Sequence, residues 1–250
     1  MLPFERLRAL ARYAGDDRGL VLEATDCLAD FADDPTQLVT VCRRLLAHHP
    51  SNGALWWVCA QVLAGTDPAG GARDAARRLE RDRTASRLAS LLPFPHDEPI
   101  AVLGWPDTVG SALTERPDLD VVVVRPRHGR LRHADRRIRV VDEVEAIAAS
   151  PTHLLVEVLA SDPSTAVVPD GTDDLVRSLA DAALWLVMPT GRLLPPRLFE
   201  VLVGQLGDDD DTETLEVRAA TQVAGPWALE EPDRLDRRLD CPVAPELLRL

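Results

Sequence analysis

The spacing of apolar residues changes once along the chain, near residue 95. Before that point they recur at helical intervals. The segment "PFERLRALARYAG" places Phe4, Leu7, Leu10, Ala11 and Ala14 on one helix face. "GLVLEATDCLADFAD" repeats the pattern with Leu20, Leu22, Ala24, Cys27, Leu28 and Phe31. "DPTQLVTVCRRLLAHH" begins with Asp34 in an N-cap position and Pro35 at the first helical position. "HHPSNGALWWVCAQVLAG" reads as a further helix: Pro50 stops its predecessor and Ser51 or Asn52 caps its start. Trp56 and Trp57 point about 100° apart on that helix, so both are buried only if the helix is largely enclosed. "DPAGGARDAARRLERDRTASRLASLL" is charged and alanine-rich, and predicts one exposed or connecting helix. Five helices and no strand are expected in this part.

"LPFPHDEP" carries three prolines in eight residues and reads as a linker, because proline stops a helix and pushes its predecessor toward extended conformations. The expected division is a helical domain at 1–92, a proline-rich linker at 93–98 and a second domain at 99–250. In the second domain short apolar runs alternate with short helical patterns. "PIAVLGWP", "LDVVVVRPR", "RIRVVD", "THLLVEVLA" and "LWLVMPTG" predict five strands. The four valines in a row mark a strand buried on both faces. "DTVGSALTER", "EVEAIAAS", "GTDDLVRSLADA" and "PPRLFEVLVGQL" predict the intervening helices. This alternation implies βαβ units around a mostly parallel, Rossmann-like sheet, whose ligands bind beyond the carboxyl ends of the strands. "GDDDDTETLE" reads as an acidic turn, and the remainder as an edge strand and an irregular tail. The fold class expected is α/β, with an N-terminal helical domain ahead of the Rossmann-like domain.

Composition narrows the chemistry. The chain has 250 residues and a hydrophobic fraction of 46%, enough for a real core. No apolar run reaches the ~20 residues of a membrane-spanning helix, and Glu5 and Arg8 interrupt the N-terminal segment, so neither an anchor nor a signal peptide is predicted. A soluble, cytoplasmic protein is expected. Every one of the 28 basic residues is arginine. Without lysine there is no Schiff-base chemistry and no Walker A nucleotide site. The net charge of −13 disfavours general nucleic-acid binding. Arginines nonetheless cluster in "RPRHGRLRHADRRIR", residues 125 to 139, which reads as a solvated basic loop or as a loop that handles phosphate. Cys27, Cys42, Cys59 and Cys241 form no CxxC pair and read as buried free thiols.

Several familiar sites are missing. The turn after the first strand, "GWPDTVG", lacks a GxGxxG fingerprint, and Pro106 removes a backbone donor. There is no GxSxG elbow. His48 and His49 are adjacent and make a poor metal clamp, so no metal and no cofactor are expected. Among the carboxylates, Glu157 lies within the fourth strand and Asp162 follows it, where a ligand pocket would open. Asp170, Asp173 and Asp174 flank a helix start and read as caps and dipole partners.

The order of elements resembles the translation initiation factor 2B alpha/beta/delta family, which includes methylthioribose-1-phosphate isomerase and ribose-1,5-bisphosphate isomerase. His49, Pro50 and Ser51 stand where the family carries "RPT" before a helix. Arg125, Pro126 and Gly129 match its strand ending in "RP" with a glycine soon after. Gly171 and Thr172 match its Gly-Thr helix start, and "LWLVMPTGRLLP" its "P-x-x-K" strand end with arginine for lysine. "DCPVAPELL" is similar to its "D-V-T-P-E-L" close. The resemblance spans roughly residues 35 to 200. It implies a sugar-phosphate or nucleotide site involving Ser51, Asn52, Trp105, Thr108, Arg125, Arg127, Gly171 and Thr172, and a homodimer. The isomerases' catalytic cysteine and aspartate are both missing here: "GWPDTVG" replaces the Cys-Asn-Ala-Gly turn, and "VEVLA" the Gly-Ala-Asp turn. Three readings therefore stand: a non-catalytic binding or regulatory module, an aldose-1-phosphate isomerase using other groups such as Asp107 and Asp162, and a protein-interaction subunit without a small-molecule site.

Overall fold

The computed structural model describes residues 3–13, 16–92, 99–127, 138–207 and 211–249. The expected linker at 93–98 and most of the arginine-rich loop, including Gly129, lie outside the described residues.

Six helices precede the sheet: α1 (Pro3–Leu10), α2 (Asp17–Ala29), α3 (Pro35–His48), α4 (Gly53–Ala64), α5 (Pro68–Glu80) and α6 (Thr84–Leu91). Aspartates start three of them. Asp16, Asp34 and Asp67 accept backbone N–H bonds from Gly19, from Thr36 and Gln37, and from Gly70. The single helix expected from residue 67 to 92 is two. Asp82 breaks it by accepting from both the backbone N–H of Thr84, at 2.9 Å, and its hydroxyl, at 2.6 Å. That local alternative to helical bonding restarts the chain as α6.

α4 is the centre of the helical layer. Trp56 and Trp57 are both fully buried, as the absence of a polar face on this helix requires. Each indole keeps a partner: Trp56 Nε1 donates to Pro50 O at 2.9 Å, and Trp57 Nε1 to Asp240 Oδ1 at 3.2 Å. His49 Nε2 lies 2.8 Å from Leu10 O, which ties the start of this segment to α1. All four cysteines are free and buried, and burial pushes the Cys27 thiol up to about 11.

The sheet follows as β1 (Pro99–Leu103), α7 (Asp107–Thr114), β2 (Asp120–Val124), β3 (Arg139–Val141), α8 (Glu143–Ala148), β4 (His153–Glu157), β5 (Ala160–Ser161), β6 (Thr165–Pro169), α9 (Thr172–Ser178), β7 (Ala183–Val187), α10 (Pro196–Gln205), β8 (Thr212–Glu216), β9 (Gln222–Gly225) and β10 (Ala228–Glu230). The seven-stranded order is β10-β9-β7-β4-β1-β2-β3, parallel throughout except for β10 against β9. Alternate residues serve opposite faces: Ile100 and Val102 meet α6 and α7, while Ala101 and Leu103 face the side of α8 and α9. The α/β class with preceding helices is what the change of period implied.

Two segments differ from expectation. The fourth strand ends at Glu157, and the chain then forms a hairpin, β5 and β6, which β8 extends into a separate antiparallel sheet. The acidic stretch read as a turn thus ends in a strand. The segment read as an edge strand and tail supplies two strands, β9 inside the large sheet and β10 at its edge.

The core around α4 also takes in Leu198, Phe199 and Leu202 of α10 and Cys241, Ala244 and Leu247 of the tail. The tail is held over the helices by Gln61 Nε2 to Asp240 O at 3.2 Å and Arg43 Nη2 to Glu246 O at 2.8 Å. At the other end of α4, Gly53 packs directly on the segment after β4. A Cβ there would lie 2.7 Å from Leu159 O and 2.8 Å from Ala160 Cβ, both in immobile surroundings. Gly53→Ala is expected to cost ~2 kcal/mol of unfolding free energy through this overpacking, measured by urea denaturation. An unchanged midpoint would refute it.

Candidate functional site

A cleft of ≈ 980 Å³ opens between the helical layer and the carboxyl ends of the central strands. That is the crevice in which open parallel sheets hold ligands. The end of β1 supplies Leu103, Gly104 and Trp105, α7 supplies Thr108 and Ser111, and α2 supplies Asp17 and Arg18. Gly104 turns out of β1 with φ of +68°, a left-handed conformation that glycine adopts without strain.

Glu157 is the buried charge of this cleft. It ends β4, is 7% exposed, and its Oε2 accepts from the backbone N–H groups of Thr108, at 2.9 Å, and Val109, at 3.0 Å. A carboxylate thus occupies the amino end of α7, where the helix dipole favours it. Burial nevertheless dominates and raises its pKa above the ordinary glutamate value. The Arg192 guanidinium and the two backbone donors oppose this only in part.

Arg192 closes the other side. Its side chain is 7% exposed. Nη1 donates to Leu159 O at 2.9 Å and to Asn52 Oδ1 at 3.4 Å, and Nη2 pairs with Asp17 Oδ2 at 3.2 Å. Asn52 Oδ1 also caps α4 through Leu55 N at 3.1 Å. Two donors on Oδ1 fix the amide orientation, and among the described residues Nδ2 has no partner.

The remaining candidates divide by place. Trp105, Asp107 and Thr108 line the cleft. The Trp105 ring lies against α7, so close that a Cβ on Gly110 would stand 2.6 Å from its Nε1. The N–H of Gly53, next to Ser51 and Asn52, donates to Leu159 O at 3.0 Å. Arg125 is exposed beyond β2, with its backbone N–H on Val141 O at 2.9 Å. Arg127 pairs with Asp174 at 2.5 Å and packs beside Gly171, which has φ of +85°. The Thr172 hydroxyl donates to Pro169 O at 2.5 Å. Asp162 accepts from the N–H groups of Ser164 and Thr165, both at 2.7 Å, within the β5–β6 turn, and is not part of the cleft lining. The structure therefore brings Trp105, Asp107 and Thr108 together with Glu157 and Arg192, and does not bring Asp107 and Asp162 together in the cleft. Glu157 and Arg192 are the residues that sequence reasoning left out of the site. The signal for Glu157 was available: a lone carboxylate inside the apolar run "LLVEV" is costly unless it is used.

No protein-family profile matches the sequence, and no curated protein matches it. Solved structures do match. The translation initiation factor eIF-2B of Pyrococcus horikoshii OT3 is similar with a TM-score of 0.73 at 13% identity, over 93% of this chain and 98% of that one. The tetrameric eIF2B-beta2-delta2 complex from C. thermophilum gives 0.74 at 10% identity, over 94% and 93%. Its eIF2B beta, from Chaetomium thermophilum, gives 0.71 at 10% identity, over 94% and 89%. The chain has the fold of initiation factor 2B subunits. No helix among the described residues is long and apolar enough to cross a membrane.

Glu157 yields a prediction with a definite sign. Its folded pKa is raised, so the acid is protonated in both states at low pH. Stability is then lost as pH rises through the folded value. Glu157→Gln keeps an acceptor for Thr108 and Val109 and removes the buried charge. Its thermal stability relative to the parent chain is expected to improve from pH 4 to pH 8. A difference that is constant across that range would contradict the assignment.

Proposed function

We propose that this chain is a divergent, non-catalytic relative of the initiation factor 2B subunits, a binding or regulatory module that holds a sugar monophosphate or nucleoside monophosphate in the cleft and pairs with a second copy of itself. The cleft at the strand ends, floored by Glu157 and walled by Trp105 and Arg192, is the observation that supports this reading. Its lining sets five carboxylates (Asp16, Asp17, Asp82, Asp107 and Glu157) against two guanidiniums, Arg18 and Arg192. Carboxylates suit the hydroxyls of a sugar ring, and so few cations suit a single phosphate rather than a chain of them. Trp105 offers a flat apolar face for a ring. The non-catalytic reading is supported by Asp162, which is held in its own hairpin and does not join Asp107 in the cleft.

The isomerase reading keeps one specific support, the buried Glu157, a carboxyl in the cleft lining whose pKa is raised by burial. Both readings predict binding and differ in chemistry. Calorimetric titration with ribose 1-phosphate, ribose 5-phosphate, methylthioribose 1-phosphate and nucleoside monophosphates is expected to give binding that Arg18→Ala weakens, with no conversion of any sugar phosphate. Silence across the panel overturns the binding module, and conversion abolished by Glu157→Gln establishes the isomerase instead. Sedimentation of the free chain as a monomer overturns the self-pairing.

A further inference from the structure

A second pocket, of ≈ 370 Å³, lies on the far side of the β7–α10 loop from the cleft. Three separate segments build it: the α5–α6 turn, the loop from Pro189 to Leu193, and the β9–β10 turn with the tail. Its lining reverses the charge of the molecule. Arg78, Arg81, Arg83, Arg87 and Arg238 face it, against Asp82 and Asp240, in a chain whose net charge is −13.

The acids do not neutralise this cluster. Asp240 pairs with Arg78, whose guanidinium also stacks 4.6 Å over the Trp57 ring, and Arg238 pairs with Glu230 at 2.7 Å. Asp82 spends its oxygens on Thr84 and on the N–H of Thr190, at 3.0 Å. Among the described residues, the side chains of Arg81, Arg83 and Arg87 have no ion pair or hydrogen bond. Arg81 sits at the carboxyl end of α5, where a cation is favoured, but Arg83 and Arg87 work against α6. Arg83 and Arg87 are a like-charged i, i+4 pair, and they stand at the amino end of α6, where the dipole is already positive. Both features of α6 are unfavourable without a counter-charge, and a bound polyanion reverses them.

The opposite wall is a tryptophan on a strained turn. Trp227 lines the pocket, and among the described residues its buried Nε1–H has no partner. Arg238 sits 6.0 Å over its ring. Ala228, the next residue, has φ of +90°, and Gly191 across the pocket has +87°. A non-glycine residue in that region is costly, and such outliers concentrate at ligand sites. Ring and cations together define the ligand chemistry.

We propose that this pocket binds a nucleoside polyphosphate, with the base against Trp227 and the phosphate chain on Arg81, Arg83 and Arg87. The site is separate from the cleft and does not depend on the reading given to it. The arginine fork matches phosphate oxygens in pairs, and several unpaired forks in one place suit a chain of phosphates better than one.

The test is calorimetric titration of the full chain at low ionic strength with adenosine and guanosine triphosphates, diphosphates and monophosphates, and with inorganic tripolyphosphate. Triphosphates are expected to bind tightest, and added salt to weaken them. Arg83→Ala/Arg87→Ala is expected to weaken triphosphate binding by at least about tenfold. The same double variant should melt at the parent temperature or above it, because it removes a repulsion. Trp227→Leu should erase the advantage of nucleotides over tripolyphosphate. The cleft variant Arg18→Ala should leave the triphosphate isotherm unaltered, which separates this site from the cleft. No triphosphate binding, or binding indifferent to the double arginine variant, overturns the site. Equal binding of tripolyphosphate and nucleotides by the parent chain overturns the nucleotide assignment.

Discussion

The arrangement of this protein depends on one buried guanidinium. Arg192 reaches from the β7–α10 loop to three separate elements: Asp17 at the start of α2, Asn52 at the start of α4, and the Leu159 carbonyl after β4. A buried cation is tolerated only when its donors are used, and the planar fork of arginine spreads them over several acceptors where an ammonium would concentrate them. Asn52 contributes an oxygen that serves Arg192 and the α4 cap at once. The helical layer is thereby fastened to the strand ends at the point where the cleft opens. Gly53 adds the close approach that lets α4 sit on the β4–β5 connection. The cleft inherits its shape from these contacts, and Arg192 also moderates the charge on Glu157.

Much of the scaffold was legible because it is local. Pro50 and Asn52 before an uninterrupted apolar run mark a capped and enclosed helix, and the two tryptophans of α4 are accordingly buried. Four consecutive valines mark β2 as a strand covered on both sides. The small sheet of β5, β6 and β8 was not legible. β5 is two residues long, and "TETLE" of β8 is mostly polar, so neither carries a period. Their pairing joins residues 165 to 169 with 212 to 216, and nothing in either segment announces the other. The break between α5 and α6 was hidden in the same way. Asp82 sits in a charged helical pattern, and its capping role emerges only with Thr84 and Thr190 in place.

The residues that line the two concavities follow the same division. Trp105 and Thr108 could be placed from sequence, since the turn after the first strand of a parallel sheet opens on the ligand crevice. Asp162 was preferred to Glu157 because the strand was expected to run past residue 157, whereas β4 ends there and turns Glu157 toward the amino terminus of α7. The arginine pocket escaped for a stronger reason. Its lining comes from residues 78 to 87, 189 to 193 and 226 to 240, and no window of sequence contains more than one of these. The arginine-rich run that did attract attention, residues 125 to 139, is a different one.

Charge gives the two concavities their separate characters. The β7–α10 loop lies between them, with Pro189 and Thr190 touching both. On one side carboxylates outnumber guanidiniums, and on the other the ratio is inverted. Asp82 belongs to both linings and holds the loop through the N–H of Thr190. The same loop carries Arg192. Its guanidinium fastens α2 and α4 to the strand ends, together with the Gly53 N–H bond to Leu159 O. The two concavities thus share the wall formed by the segment Pro189 to Leu193, whose left-handed Gly191 packs beside Ala54 and Trp57 of α4. A Cβ at Gly191 would stand 3.2 Å from Ala54, so both its φ and its packing call for glycine. The wall between the two concavities therefore rests on α4, a helix whose close-packed surroundings hold it in place.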